Sequence, residues 1–472
     1  MDTINGNNFY ADTKERLYRE LGVKDNFDII CKGFYIGGKR SDFFFVDGFI
    51  KDGIMEKMMA FWNGIQPDAM PKDAEGVANN IIPYVEVDVI SDVNEMIKGV
   101  LMGMTCLIID GIDKAIMIDC RTYPARGVEE PDKDKSMRGS RDGFVETIVF
   151  NTALIRRRIR NPKLRMNIMS VGKSSQTDIV LAYMEDRVDK ALLKNITERI
   201  NNIKIDSLTM NQESLAECLY KSKWINPFPK YKYTERPDTA TSAILEGNII
   251  ILVDNSPSAM IIPTSIFDII EEADDYYFPP VTGTYLKVAR FLITLLTLVL
   301  TPTWLLLLNN PEWIPEGLRF IIPAEKVNVP ILAQLFILEF AIDGLRLAAL
   351  NTPNTLSTPL SILAGLVLGE FAVSSGWFSS ETMLYMSFVA LSNYSQASFE
   401  LGYALKFMRM IMLVFTALFG IYGYIGSYIL VLVLVVSNKT LSGKSYIYPL
   451  YPFNGKEIIK KLFRVSLPKS EK

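Results

Sequence analysis

The strongest constraint on this chain is a long apolar segment at 288–308, VARFLITLLTLVLTPTWLLLL. A helix of this length, rising 1.5 Å per residue, covers about 30 Å, the thickness of the hydrocarbon core of a bilayer. Further apolar segments follow at 330–350, 359–378, 382–391 and 410–437. Because a helix pairs its own backbone groups, these segments predict an all-α polytopic membrane domain over 288–437.

The later apolar segments contain charged residues that lipid would reject. Glu339, Asp343 and Arg346 are spaced i, i+4 and i+7, so a helix carries them on one side. Charge at bilayer depth costs about 3 kcal/mol per group and therefore faces protein or water. Two hypotheses follow: ion pairing with Arg346 inside the bundle, or a charged lining of an ion pathway. Glu370 and Glu400 supply further acids for the second hypothesis.

A polar run and a pair of glycines add to the candidates. The run SNYSQASFE at 392–400 lies between apolar segments, and polar backbone at that depth is tolerated where it lines a cavity. Its candidate residues are Ser392, Asn393, Ser395, Gln396 and Glu400. Gly365 and Gly369 have the spacing that allows close contact between helices.

The last apolar segment and the flanking charges bear on topology. The segment is too long for one upright crossing, and GIYGYIG at 420–426 predicts either a bend or a hairpin. Basic residues lie at 287–290 and throughout the tail at 438–472, which places both ends in the cytoplasm by the positive-inside rule. The number of crossings is then even, so one of the five segments is expected to be re-entrant or double, and four to six crossings remain open.

The chain before the first span has the composition of a soluble protein. Strand-like and helix-like segments alternate in it, which predicts a two-part α/β (α+β) region. Its expected divisions are a subdomain at 1–120, a charged connection with a basic helix at 121–163, a second subdomain at 164–275 and a membrane-entry neck at 276–287. Residues 1–21 lack the apolar core of a signal peptide, so this region is expected to stay in the cytoplasm.

Two charged segments leave alternatives open. The helix predicted at 143–160 ends in Arg156, Arg157 and Arg158, cations that the helix dipole favours. Three hypotheses remain for these arginines: a solvated helix end, an interface between domains or subunits, or a contact with anionic lipid headgroups. The acids at 271–275 either attract cations toward a vestibule or keep the neck soluble.

The composition excludes several classes of chemistry. The chain has no histidine, which excludes Ser-His-Asp catalysis and the usual histidine metal sites. Its four cysteines form no CxxC pair, which favours free thiols in a reducing compartment. The fragment Gly172-Lys173-Ser174 lacks the first glycine of a phosphate loop, since Asn167 occupies that position, and predicts a turn between strands. A net charge of −3 gives no sign of a nucleic-acid partner.

Several long motifs resemble a known family. RGSRDGFVET (138–147), NTALIRRRI (151–159), YTERPDTATSAILEGNIIILVDNSP (233–257) and EEADDYYF (271–278) are similar to the A subunits of the GerA family of spore germination proteins. RTYPARGVEEPDKDK (121–135) and PLYPFNGK (449–456) resemble the stage V sporulation AF (SpoVAF) branch of that family. The resemblance covers about residues 120–465, and the first 120 residues match more loosely.

The resemblance implies a non-enzymatic, cofactor-free protein of the inner spore membrane, in contact with lipid. It implies a homo-oligomeric ring, a pentamer, that conducts monovalent cations and acts with other germination membrane proteins, including a small membrane partner. The leading hypothesis is therefore a channel subunit. The alternative is the A subunit of a nutrient receptor that relays a signal from partner subunits. A secondary transporter is a third class, although the sequence shows no internal repeat.

Overall fold

The computed structural model describes residues 9–122, 138–220, 226–324, 327–351, 365, 369, 371–443 and 445–465. Two compact units make up the chain. The N-terminal unit comprises residues 1–222 and 231–263, and the helical unit comprises 223–230 and 264–472.

The first half of the N-terminal unit is a five-stranded sheet with four helices. Its elements are α1 (Phe9–Glu20), β1 (Ile29–Ile36), β2 (Lys39–Val46), α2 (Asp52–Asn63), α3 (Ala74–Asn80), β3 (Val87–Ile90), α4 (Val93–Leu101), β4 (Thr105–Ile109) and β5 (Ala115–Ile118). The strand order is β1-β2-β4-β5-β3, and all neighbours are antiparallel. The apolar run IIPYVEVDVI at 81–90 joins the sheet only from Val87, and Pro83 at its start cannot donate a ladder hydrogen bond.

The second half repeats the same succession of elements. It contains α5 (Ile148–Arg158), β6 (Leu164–Val171), β7 (Thr177–Met184), α6 (Lys190–Asn201), α7 (Asn211–Leu219), β8 (Lys232–Thr234), α8 (Pro237–Leu245), β9 (Ile249–Val253) and β10 (Ala259–Ile262). The strand order β6-β7-β9-β10-β8 is that of the first sheet, again with antiparallel neighbours. The N-terminal unit is thus a tandem structural repeat, which the sequence alone did not reveal.

Both faces of the first sheet are covered by helices, which explains its continuous apolar strands. Phe44 and Met117 pack with α1 and α4 on one face. Phe43 and Ile116, their neighbours in sequence, pack with α2 and α3 on the other. Successive strand residues point to opposite faces, so a sheet covered on both sides needs apolar residues at every position.

Glycines with positive φ form two of the strand connections, and the second connection and the thiols agree with the sequence predictions. Gly37 and Gly38 form the β1–β2 turn with φ of 52° and 75°, angles that glycine adopts without a Cβ clash. Gly172 begins the turn between β6 and β7 with φ of 96°, so the fragment that resembles a phosphate loop is a strand connection. All four cysteines are free thiols, and burial raises the pKa of Cys106 to about 12.

Among the residues that the structure describes, the helical unit contains two helices that are long and apolar enough to cross a membrane, Pro280–Asn309 and Phe399–Ser437. Its helices are α9 (Ile266–Ile270), α10 (Asp274–Tyr277), α11 (Pro280–Asn309), α12 (Ile331–Asn351), α13 (Ala372–Ser374), α14 (Ser380–Tyr394), α15 (Phe399–Ser437) and α16 (Gly455–Leu462). Short 3-10 turns occur at Pro311–Trp313 and Glu316–Ile321. Half of the apolar segment predicted at 359–378 lies outside the described residues.

Helix α15 is a hairpin of two helical arms. Gly420 interrupts it with φ 58° and ψ −133°, a conformation open to glycine and costly for other residues. After it the chain turns back so tightly that a Cβ at Gly423 would lie 1.9 Å from the carbonyl oxygen of Phe415. Met408 of the first arm and Val431 of the second consequently share one apolar cluster. Of the two predicted alternatives, bend or hairpin, the structure has the hairpin.

Helices α12 and α14 both run antiparallel to α11. Leu335 and Leu338, near the start of α12, share an apolar cluster with Trp304 and Leu305, near the end of α11, so these helices are antiparallel. Helix α14 runs in the same direction as α12, because Ser379 donates its backbone N–H to Gln334 at 3.0 Å near the start of both. This arrangement brings polar side chains from α11, α12, α14 and α15 to one end of the bundle.

Candidate functional site

A buried ion pair joins three helices of the helical unit. Glu339 of α12 is 2% exposed and Arg409 of α15 is 1% exposed. Arg409 donates Nε to Oε1 of Glu339 at 2.7 Å, and its Nη2 lies 2.6 Å from the same oxygen. Its Nη1 donates to the carbonyl oxygen of Thr297 in α11 at 2.7 Å. Glu339 is therefore sealed within the packing of its own chain.

Lys406 connects this pair to the surface. Its Nζ donates to the carbonyl oxygen of Glu339 at 3.1 Å and lies 3.7 Å from Oε2 of the same residue. It also donates to the carboxylate of Asp343, one helical turn further along α12. The side chain of Asp343 is 29% exposed, against 3% for that of Glu339. The charged face of α12 is therefore buried at Glu339 and partly exposed at Asp343.

Arg346 lies among aromatic rings and not beside the acids with which it was predicted to pair. Its guanidinium lies over the rings of Tyr394 at 4.8 Å, Tyr403 at 5.4 Å and Phe399 at 5.5 Å. Aromatic faces attract cations, so these rings hold the side chain in place. In the part of the chain that the structure describes, no carboxylate lies within ion-pairing distance of Arg346. The hypothesis that Arg346 pairs with Glu339 and Asp343 is therefore wrong.

The cations that neutralise the two acids were missed because they lie about 65 residues further on. Lys406 and Arg409 are the only basic residues between Phe399 and Ser437. Two basic residues three positions apart in a segment of that apolarity face protein rather than lipid. From the sequence alone, that spacing indicates that both side chains are buried within the bundle. It does not indicate which helix carries their partners.

The predicted polar run forms the connection between α14 and α15. Gln396 accepts a hydrogen bond from Oγ1 of Thr294 at 3.1 Å, and Thr294 lies within the apolar part of α11. Asn393 is buried against Gly402, and its Oδ1 has no hydrogen-bond partner among the described residues. Ser392 is half-buried, while Ser395 and Glu400 are exposed. Polar groups thus lie at the depth of the apolar helices.

The remaining membrane candidates are only partly described. Glu370 lies outside the described residues. Gly365 and Gly369 are described, and a Cβ at either would meet no described atom within 4 Å. The described atoms therefore show no close helix contact at these glycines within one copy. Their role in helix packing stays a prediction.

The acidic neck is bound by cations of the same unit. Lys287 of α11 is 2% exposed and donates to the Glu271 carboxylate and, at 3.0 Å, to the hydroxyl of Tyr276. Arg290 pairs with Glu272 and donates Nε to Asp275 at 3.2 Å. Burial raises the pKa of the Asp275 carboxyl, and the Arg290 charge opposes that rise.

Helix α16 adds to these contacts. We call the whole set the neck clamp: Lys287, Arg290, Lys461 and Arg464 bound to the segment 268–276. Lys461 lies 2.5 Å from Asp268 and 3.2 Å from Glu271. Arg464, just beyond the helix, donates its backbone N–H to Thr284 at 3.1 Å and Nη2 to the carbonyl of Tyr276 at 2.6 Å. The neck acids are held by ion pairs, an arrangement that neither sequence hypothesis for them included.

The neck clamp yields a prediction about local stability. Lys287→Met should remove the buried cation of Glu271 and leave it only the partly exposed Lys461, at a cost below the about 3–5 kcal/mol of a fully broken buried pair. Backbone amides of 271–287 should then exchange with deuterium at least about tenfold faster, since local opening limits their exchange. Lys456→Met, at an exposed position of α16, is the matched control. Equal exchange in the two variants would contradict the clamp.

The three arginines of α5 lie in different environments. Arg156 is fully buried and forms a two-pronged pair with Asp28, at 2.8 Å and 3.0 Å. Arg158 pairs with Asp142 at 2.6 Å, and Arg157 is exposed. Asp28 precedes β1 and Arg156 belongs to the second half, so this pair joins the two halves of the repeat.

Backbone pairing accompanies that ion pair. Phe27 donates its N–H to the carbonyl of Met166 in β6 at 3.2 Å. Met166 in turn donates to Oδ1 of Asn26 at 2.7 Å. The segment before β1 therefore adds to the edge of the second sheet, which fixes the two halves against each other.

Comparison with known proteins identifies the family. The family described as "Bacillus/Clostridium GerA spore germination protein" matches residues 16–472. The chain belongs to the GerA family of spore germination proteins. Stage V sporulation protein AF of Bacillus subtilis (strain 168) is 35% identical over 462 residues, 97% of this chain and 93% of that protein. Spore germination protein A1 of the same organism is 29% identical, over 80% of this chain and 78% of that protein.

A solved structure from the GerA family is also similar. It is the N-terminal domain of the A subunit of the Bacillus megaterium spore germinant receptor GerK3, at 25% identity and a TM-score of 0.42. The likeness covers 55% of this chain and 97% of that one. The two-sheet architecture given above stands on the strand pairing of this chain. This GerA-family chain is thus a germination and sporulation membrane protein with an α/β N-terminal region and a helical C-terminal region.

Proposed function

We propose that this protein is a subunit of a homo-oligomeric channel, expected to be a pentamer, that releases monovalent cations during germination. The observation that carries the proposal is the partial exposure of the charged face of α12. The side chain of Asp343 is paired with Lys406 and is still 29% exposed. Charge at this depth faces water or protein rather than lipid. A ring of copies around a shared aqueous axis would cover it.

We assign different roles to the predicted pathway residues. Glu339 contacts groups of its own chain and serves to hold α11, α12 and α15 together. The pathway we propose runs along Asp343 and Arg346 and past the exposed Ser395 and Glu400. Rings of acidic side chains concentrate cations at the mouth of a channel, which suits these positions. Glu370 stays a predicted contributor.

Ion flux measured on the purified chain tests this proposal. In proteoliposomes loaded with potassium, Asp343→Asn and Glu400→Gln should each lower efflux by about tenfold, because an acidic lining raises the local cation concentration. Lys406 keeps its contacts with Glu339 in the first variant, so the fold should persist. Glu312→Gln removes one exposed acid from a 3-10 turn of the same unit and serves as the control. Unchanged efflux with full incorporation would contradict the pathway.

The neck clamp favours a second candidate, the A subunit of a nutrient receptor. It ties the segment that enters α11 to α11 itself and to α16, so a movement of that segment would reach the membrane helices. Other relatives are named spore germination proteins, among them GerLA of Bacillus cereus, which is 29% identical over 83% of this chain. Efflux that appears only when receptor B and C subunits are present would favour this role; efflux from the chain alone favours the channel.

A further inference from the structure

The C-terminal segment 450–463 exposes an unusual mixture of apolar and basic side chains. Before α16, Leu450, Tyr451 and Phe453 are 50%, 68% and 77% exposed. Ile459 on the helix and Phe463 directly after its last residue are about half exposed, at 54% and 49%. Singly exposed apolar side chains are ordinary, but several large ones so close together in the sequence indicate an interaction surface.

The helix has two distinct faces. At 100° per residue, Lys456, Ile459, Lys460 and Phe463 fall within one arc of the helical wheel. Lys456, Ile459 and Lys460 of that arc are exposed. Lys461 lies on the other side, where it binds Asp268 and Glu271 of the neck. One face of α16 therefore holds the neck, and the other presents two lysines with two apolar side chains.

The contacts of α16 place this face level with the start of the apolar part of α11. The carbonyl oxygen of Lys460 accepts a hydrogen bond from Lys287 at 3.4 Å. The backbone N–H of Arg464 donates to Thr284, one turn earlier in α11. Since the apolar run begins at Val288, α16 lies at the level where a spanning α11 would enter the hydrocarbon core. Aromatic and basic side chains are enriched at that level of membrane proteins.

We propose that this outward face, Leu450 to Phe453 together with Lys456, Ile459, Lys460 and Phe463, binds the headgroup layer of anionic phospholipids around the protein. The apolar side chains would enter the boundary between headgroups and acyl chains, and the lysines would contact the lipid phosphates. Lipid fits the patch better than a protein partner, because lysine is depleted in the centres of protein interfaces. Lys460 also pairs with Glu457 at 3.4 Å, and an exposed pair of this kind yields readily to a phosphate.

The test uses the full chain in nanodiscs of two compositions, phosphatidylglycerol and phosphatidylcholine. Deuterium exchange of the amides of 450–463 should be about thirtyfold slower in phosphatidylglycerol, as two lysines at an anionic surface would produce. At 1 M salt the difference in exchange between the two lipids should shrink, because the Debye length falls to about 3 Å. Lys456→Gln with Lys460→Gln should remove the difference while the Lys461 contacts persist. Lys190→Gln with Lys194→Gln, two exposed lysines of α6, should leave it unchanged.

Three results would overturn the proposal. One is equal exchange in the two lipids, and another is a lipid difference that survives the glutamine pair. The third is protection that is the same in both lipids but appears only when several copies share a nanodisc, which would assign the face to a second copy of the chain. None of these readouts depends on ion conduction.

Discussion

Replacing Glu339 with alanine should abolish most of the folded protein in the membrane fraction. The change leaves Arg409 buried and unpaired, and breaking a buried pair in this way costs about 3–5 kcal/mol. A loss of that size is a large share of the stability of a typical domain. Size-exclusion chromatography and protease resistance of the detergent-extracted protein measure the folded fraction.

A compensating variant separates this structural role from a pathway role. Glu339→Met with Arg409→Met removes both buried charges, and well-packed apolar replacements of such pairs are near neutral or stabilising. Lys406 keeps the Asp343 carboxylate in that variant. The double variant should therefore recover most of the folded protein that the single variant loses. If Glu339 instead faced water, alanine would be tolerated and the double variant would gain nothing.

The second large effect is expected in the N-terminal unit. Arg156→Met leaves the Asp28 carboxylate buried without its two-pronged partner, which should cost about 3–5 kcal/mol. The melting temperature of this unit should fall by several degrees, and proteases should cleave it more readily. Both can be followed on the full-length protein by thermal unfolding and limited proteolysis.

The neighbouring arginine provides the matched control. Arg157 carries the same charge on the same helix but is exposed, and exposed ion pairs contribute about 0–1 kcal/mol. Arg157→Met should therefore leave the melting temperature within about 2 °C of the parent. Equal melting temperatures for the two methionine variants would show that the Asp28 pair does not hold the halves together.

Much of the local structure could be predicted because its signals are local. The β1–β2 hairpin follows from glycines that accept positive φ between two apolar runs. The apolar length of α11 predicts a spanning helix, and the interruption of α15 lies inside the predicted GIYGYIG segment. The tandem repeat could not be predicted from the sequence. Its two halves share the order of their elements, but many different sequences satisfy the same packing, so the repeat leaves no pattern in the residues.

By itself, the sequence determined that acids would lie at membrane depth and that each needed a partner, because lipid rejects charge whatever the fold. Which partner each acid has was decided only by the tertiary structure. Glu339 pairs with Arg409, 70 residues away, and Asp28 with Arg156, 128 residues away. Spacing along one helix pointed to Arg346, but the packing of α12 against α15 brings other cations closer. Local pattern fixes which face of a helix is buried, whereas the neighbour across that face depends on how the helices assemble.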